Sequence, residues 1–229
     1  MRGVIGLLLR VGVSVLLLSV ARQDADAQSL SEDNRKLIQA QATMAVAEEL
    51  YDHGEYEKAI EQWREAIKLD PGLAKAHHSL GMALRGQNQF TEAIAALRET
   101  VRLDPRNAAA FADLGDTLQE NGDLNGALAA YQASLALVPN SALVRNNLGY
   151  VLVRKQNLDG AIAEWREATR IDPTYPAPYG NLGEALATKG DTKGAITAYE
   201  RFLELVPADA PASAEVRQRL DKLQGEEKR

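Results

Sequence analysis

Residues 142–175 read ALVRNNLGYVLVRKQNLDGAIAEWREATRIDPTY, and residues 176–209 read PAPYGNLGEALATKGDTKGAITAYERFLELVPAD. Laid over each other without a gap, the two stretches agree at separated positions. Leu148-Gly149 matches Leu182-Gly183, Ala161 matches Ala195, Trp165 matches Tyr199 and Pro173 matches Pro207, each pair 34 residues apart. A fixed period of this size is the signature of a repeat array, so it is read before any local structure.

The period extends towards the N-terminus. Pro71, Pro105 and Pro139 continue the proline column, and each proline follows a helix-period run ending in Leu-Asp, Leu-Val or Ile-Asp. Counting back from the prolines places five units at 40–73, 74–107, 108–141, 142–175 and 176–209. Other columns keep the same phase. Twelve residues before each proline stand Ala59, Ala93, Ala127, Ala161 and Ala195. Eight before it stand Trp63, Leu97, Tyr131, Trp165 and Tyr199. Five before it stand Ala66, Thr100, Ser134, Ala168 and Phe202. In the first half of the unit, Leu-Gly recurs at 80–81, 114–115, 148–149 and 182–183, with Val46-Ala47 in the first copy. Leu50, Leu84, Leu118, Leu152 and Leu186 follow in register.

Each column has a physical reading. Glycine within a helix costs about 1 kcal/mol against alanine, so a recurring one implies close approach of a neighbouring helix. The large residue in the second half then fills the space that the small residues leave. Gly54, Asn88, Gly122 and Gly190 at the midpoint suit a left-handed helix end. Gln156 fits that column less well and is expected to mark a looser turn. The prolines lack an N–H and end the second helix of each unit.

On these columns the chain resembles the tetratricopeptide repeat family over residues 40–207. It departs from the pattern at Ala47, at Phe202, and at Thr43, His77 and Arg145, where an aromatic is usual. The resemblance implies an all-α fold: a right-handed superhelical α-solenoid of five helix hairpins with a C-terminal capping helix. One hairpin cannot bury its own apolar face, so the ends need covers. Ser29-Leu30-Ser31-Glu32 fits a capping box that starts a helical lead-in over 28–39. At the other end, 210–229 reads as a capping helix over Ala210–Gln224 followed by a frayed tail. Val216, Leu220 and Leu223 fall on one face of that helix.

Residues 1–27 read as a secretory signal peptide. Arg2 and Arg10 give a positive front, Val11 to Val20 an apolar run, and Ala25-Asp26-Ala27 a cleavage site before Gln28. The expected location is periplasmic or extracellular. The alternative is a retained anchor over 3–20, facing the periplasm, although a span needs about 20 apolar residues and Arg10 interrupts this one.

Composition closes off several functions. Of 229 residues, 45% are hydrophobic and 25% charged, as in ordinary folded domains. There is no cysteine, which excludes disulfides, thiolate metal sites and cysteine nucleophiles. The formal charge is −6, and three arginines against two aspartates in 1–27 leave −7 on the remainder. No basic stripe for nucleic acid is present. His77 and His78 are adjacent on a helix and point to different faces, so they do not form a metal pair. His53 lies at a turn. No phosphate loop, nucleophile elbow or zinc helix occurs. The chain therefore reads as a non-catalytic scaffold without cofactor or metal.

In the resembled family the first helix of each hairpin lines a concave groove that binds other proteins. By that resemblance the sixth position of each unit faces the groove, here Ala45, Ser79, Asp113, Asn147 and Asn181. The ninth holds Glu48, Met82, Asp116, Tyr150 and Glu184. The fifth holds Met44, His78, Ala112, Asn146 and Gly180. The candidate groove is thus Ser79, Met82, Asp113, Asp116, Asn146, Asn147, Tyr150, Asn181 and Glu184. Lys75, Arg85 and Arg154 rim it. Asn147 and Asn181 resemble a partial asparagine ladder, in which each amide offers a donor and an acceptor to an extended backbone. The carboxylate clamp of some relatives is missing, because no lysine stands at the fifth or ninth position. The expected partner is a protein segment, neutral or basic, extended or helical. A self-assembling homo-oligomer and a regulatory subunit of an envelope enzyme or export machine are the alternatives, and a membrane enters only with a retained anchor.

Overall fold

The computed structural model describes residues 31–227, so the candidate signal segment lies outside the described residues. Every regular element among them is helical. The chain forms two compact units, the first ending at Leu103 and the second starting at Asp104.

The first unit holds α1 (Glu32–Asp52), α2 (Tyr56–Leu69), α3 (Ala74–Gly86) and α4 (Phe90–Leu103). Helix α1 runs unbroken through residue 40. Its cap is Ser31, whose Oγ accepts from the Asn34 N–H at 3.3 Å. The cap is thus the third residue of the expected box, whose Ser29 and Leu30 lie outside the described residues, and Glu32 pairs with Lys36 at 2.8 Å. The second unit holds α5 (Ala108–Glu120), α6 (Leu124–Leu137), α7 (Ala142–Arg154), α8 (Leu158–Ile171), α9 (Pro176–Thr188), α10 (Thr192–Leu205) and α11 (Pro211–Glu227). Within each unit consecutive helices pair as hairpins and stack on the next.

The glycine column sets the spacing inside each hairpin. A Cβ on Gly115 would meet Tyr131 at 2.6 Å, one on Gly149 would meet Trp165 Nε1 at 2.5 Å, and one on Gly183 would meet Tyr199 at 2.5 Å. In repeats two to five the large residue eight before the proline lies directly on the bare backbone, which is the packing reason the sequence demanded. Tyr131, Leu97 and Tyr199 are almost wholly buried there, each contributing roughly 1.5–3 kcal/mol of apolar burial.

The five midpoint turns are alike. Residues 54, 88, 122, 156 and 190 all have positive φ. After each, the next N–H returns to the leucine column: Glu55 to Leu50, Gln89 to Leu84, Asp123 to Leu118, Asn157 to Leu152 and Asp191 to Leu186, at 2.8–2.9 Å. This is the Schellman closure. Gln156, at φ 61°, adopts the same turn as the glycines, which corrects the expectation of a looser one. The Leu152 bond and the Asn157 cap on Gly160 N–H at 3.0 Å outweigh the strain on its Cβ.

Two departures from the repeat pattern also resolve. His77 Nε2, Arg145 Nε and Tyr179 Oη all reach the carbonyl of the proline six residues earlier, at 3.1, 3.2 and 3.4 Å. The residue type varies while the contact stays. Phe202 fits because it lies over Gly180, where a Cβ would be 3.3 Å from its ring, and it faces α11 together with Val216 and Leu220. Helix α11 runs to Glu227, past Gln224 and into the stretch expected to fray.

Candidate functional site

The groove positions of the second unit lie on α5, α7 and α9. Asp113 is half-buried, and its main-chain carbonyl accepts from Thr117 Oγ1 at 2.7 Å. Four further positions join in one hydrogen-bonded row. Tyr131 Oη donates to Asp116 Oδ1 at 2.5 Å, and Asn147 Nδ2 donates to the same oxygen at 3.0 Å. Asn146 Nδ2 then donates to Asn147 Oδ1 at 3.2 Å, and Asn181 Nδ2 to Asn146 Oδ1 at 2.9 Å. The row is half-buried and crosses three helices. The asparagine amides are therefore bonded to one another, each through one of its two N–H donors. Their immediate role is to fix the spacing of α5, α7 and α9.

Glu184 is exposed and is held by the terminal helix: Arg219 Nη1 donates to it at 2.9 Å and Nη2 to Glu215 at 2.8 Å. The hydrogen bond from Arg219 to Glu184 raises the guanidinium pKa further. Burial pushes the Tyr199 hydroxyl above its ordinary value, with Arg219 opposing it.

Tyr150 has 50% of its surface exposed, and it is not alone. Leu143 is 59% and Val153 40% exposed on the same helix. At i, i+7 and i+10 these three share one face of α7, next to Asn146 and Asn147. Sequence reasoning named Tyr150 and missed its two neighbours. The signal was available, because Leu143 opens the second position of its unit and has no apolar column to belong to.

In the first unit Ser79 and Met82 line a pocket of about 410 Å³ between α1 and α3, with Glu48, Tyr51, Asp52, Lys75, His78 and Trp63. Lys75 pairs with Glu48 at 2.7 Å. Tyr51 stacks at a tilt on Trp63, centroids 5.6 Å apart. Met82 and Ser79 are thus brought together, while the other candidates belong to the second unit.

The column of large residues turns its polar tips towards the first helix of its hairpin. Tyr131 reaches Asp116, and Trp165 Nε1 donates to the Asn146 carbonyl at 3.1 Å. Trp63 Nε1 alone among buried side-chain polar atoms of the described residues has no acceptor. Among the described residues, no group of three or more histidine and carboxylate side chains is placed to hold a metal ion. No described helix is long and apolar enough to cross a membrane.

A stack of paired helices with a Leu-Gly face against an aromatic column defines a helical-hairpin repeat protein. Models of the tetratricopeptide repeat match residues 78–141 and 112–176, 47–86, and 177–209. The chain belongs to the tetratricopeptide repeat family, whose unit is a protein-interaction module. No curated protein matches it in sequence. Among solved structures, MamA is 25% identical, with 70% of this chain and 94% of that one covered at a TM-score of 0.68. YrrB, described as a TPR protein with an unusual peptide-binding site, is 21% identical over 82% and 98% of the two chains, TM-score 0.69. PilF of Pseudomonas aeruginosa is 20% identical over 86% and 88%, TM-score 0.69.

Proposed function

We propose that the chain is a non-catalytic adaptor of the cell envelope that holds a segment of a partner protein on the groove face of its second unit. The observation that carries this is the exposed Leu143–Tyr150–Val153 stripe on α7. Aromatic and aliphatic side chains left in water on a rigid helix are the usual anchors of a protein contact. The hydrogen-bonded row from Asp116 to Asn181 supports them by keeping α7 in place. The partner segment is gripped chiefly by its apolar side chains. The peptide-binding site described for YrrB supports a peptide-like ligand. Export rests on the reading of residues 1–27, and N-terminal sequencing of protein purified from its own cells checks it: a start at Gln28 agrees, and a start at Met1 refutes cleavage.

The docking surface is tested by placing a photo-crosslinking phenylalanine at position 150 and, as control, at exposed Ala163 on α8. The expected result is an adduct from 150, absent from 163 and lost when Leu143→Glu is added, with the crosslink mapped to an apolar stretch of another protein. Equal adducts from both positions, or none from 150, refute this surface. A crosslink to a second copy of this chain replaces the adaptor by self-assembly.

A further inference from the structure

The apolar stripe on α7 has a direction. Leu143, Tyr150 and Val153 follow one another along a single helix, and at about 1.5 Å per residue they span about 15 Å of its axis. The opposite face of α7 is the buried one, with Val144, Leu148 and Val151. The neighbouring groove helices lie directly alongside: Asn147 donates to Asp116 of α5 at 3.0 Å, and Asn181 of α9 donates to Asn146 at 2.9 Å. One period away on those helices stand Ala109 and Ala177 for Leu143, Asp116 and Glu184 for Tyr150, and Gln119 and Ala187 for Val153. Large apolar side chains therefore follow one another lengthwise along α7, and crosswise they have no neighbour of their kind.

Two ligand shapes meet this surface differently. An extended segment running across the hairpins crosses one large apolar side chain, set between two alanines or between two carboxylates. Its same-face side chains recur about every 7 Å, whereas packed helices stand about 10 Å apart, so the two periods do not match. A helix lying along α7 meets all three residues, because its own side chains at i, i+7 and i+10 or i+11 repeat the spacing of the stripe. Charge then distinguishes the two edges of such a helix. Helix α5 bears Asp113, Asp116 and Glu120 and no basic residue of its own, which disfavours an acidic edge on that side.

We propose that the α7 stripe takes an amphipathic helix of the partner, laid lengthwise along α7 with its apolar face on Leu143, Tyr150 and Val153 and with basic residues on the edge towards α5. This helix occupies the docking surface proposed above, on which its assignment rests. It touches both ends of the stripe at once, which a segment crossing at Tyr150 does not.

The test uses the full chain and three blocked peptides of about fifteen residues, enough for the turns that the stripe spans. Two share one composition of leucine, arginine and alanine: in the first the leucines recur at helical spacing, in the second they alternate at strand spacing. The third is the first with glutamate for arginine. Calorimetry gives the affinities, and far-ultraviolet circular dichroism of the mixture gives the helix gained on binding. The helical-pattern peptide is expected to gain helix and to bind about tenfold tighter than either of the others. Leu143→Ser and Val153→Ser each lower its affinity about fivefold without changing any charge. Both positions are exposed, so neither substitution empties the core. Ala163→Ser, on the exposed face of α8, leaves it within about twofold. Equal or tighter binding of the alternating peptide, or an affinity that responds to only one end of the stripe, overturns the helix and leaves the docking surface standing. No binding of the helical-pattern peptide, or equal binding of its glutamate version, also overturns it, while the crosslink from position 150 judges the surface separately.

Discussion

Gly149→Ala isolates the contact on which each hairpin is built. The new Cβ would stand 2.5 Å from Trp165 Nε1, 2.7 Å from Cε2 and 2.9 Å from Cδ1. Separations below 3.0 Å are not tolerated, so the indole must move. In moving it loses the 3.1 Å bond to the Asn146 carbonyl. Leaving a buried donor unpaired costs about 1–3 kcal/mol. Replacing a mid-helix glycine by alanine returns about 1 kcal/mol of helix propensity. Forcing the indole out of its packed position costs about 1 kcal/mol more, which cancels that gain, so the net loss is about 1–3 kcal/mol; repeat one has the same arrangement, Ala47 in the glycine column and an unpaired Trp63. Gly86 is the control. It ends α3, and a Cβ there meets nothing within 4 Å, so Gly86→Ala gains up to about 1 kcal/mol. Urea unfolding followed by far-ultraviolet circular dichroism reads both. With a slope of about 2 kcal/mol per molar, the Gly149→Ala midpoint falls by about 0.5–1.5 M and the Gly86→Ala midpoint does not fall. Equal midpoints for Gly149→Ala and the parent chain would refute close packing as the reason for the glycine column.

Three further outcomes follow from other contacts. Asn146→Ala removes both hydrogen bonds of the Asn146 side chain in the row between Asp116 and Asn181; it costs about 1 kcal/mol and lowers Tm by about 2–4 °C, and an unchanged Tm means the row is ornamental. Leu220→Ala empties a buried position beneath α11 at a cost of about 2 kcal/mol or more; hydrogen exchange should accelerate in α11 and around Phe202 first, and uniform acceleration would contradict a separate cap. Hydrogen bonds from Arg102 and Arg170 hold Glu99 and Glu167 below the usual carboxylate range, and Thr174 does the same for Asp172. Because these folded-state pKa values are depressed, their contribution is present above the unfolded value and is lost as pH falls through the folded one. Stability measured by urea midpoint therefore declines below about pH 4, and Asp172→Asn makes that decline shallower; a steeper decline refutes the assignment.

The fold was legible because its determinants repeat. One proline or one Leu-Gly pair says little, whereas five prolines and four Leu-Gly pairs in phase leave one architecture. The leucine column could be placed in the core from its register alone, and it proved also to supply the carbonyl that closes each turn. Gln156 misled because residue type was taken as a proxy for conformation, while the closure depends on Leu152. The candidate surface was only half legible. Position within the unit identified Asp116, Asn146, Asn147 and Asn181, but not that their side chains bond to one another, since that depends on helix separations of a few ångströms. Leu143 and Val153 escaped because an isolated apolar residue has no column. The unpaired Trp63 was hidden in the most ordinary of differences, an alanine for a glycine.

Phe202 over Gly180 gives the array a direction of growth. Every other unit has a residue no larger than threonine at that point, leaving room for a following hairpin. Phe202 instead meets Val216 and Leu220 of α11, a thin single helix. A duplicated unit spliced between 175 and 176 would find compatible neighbours on both sides. The same unit appended after 209 would meet a phenylalanine where it needs alanine. The number of repeats is thus adjustable in the interior and closed at the terminus, with the stop written into one side chain and the bare backbone beneath it.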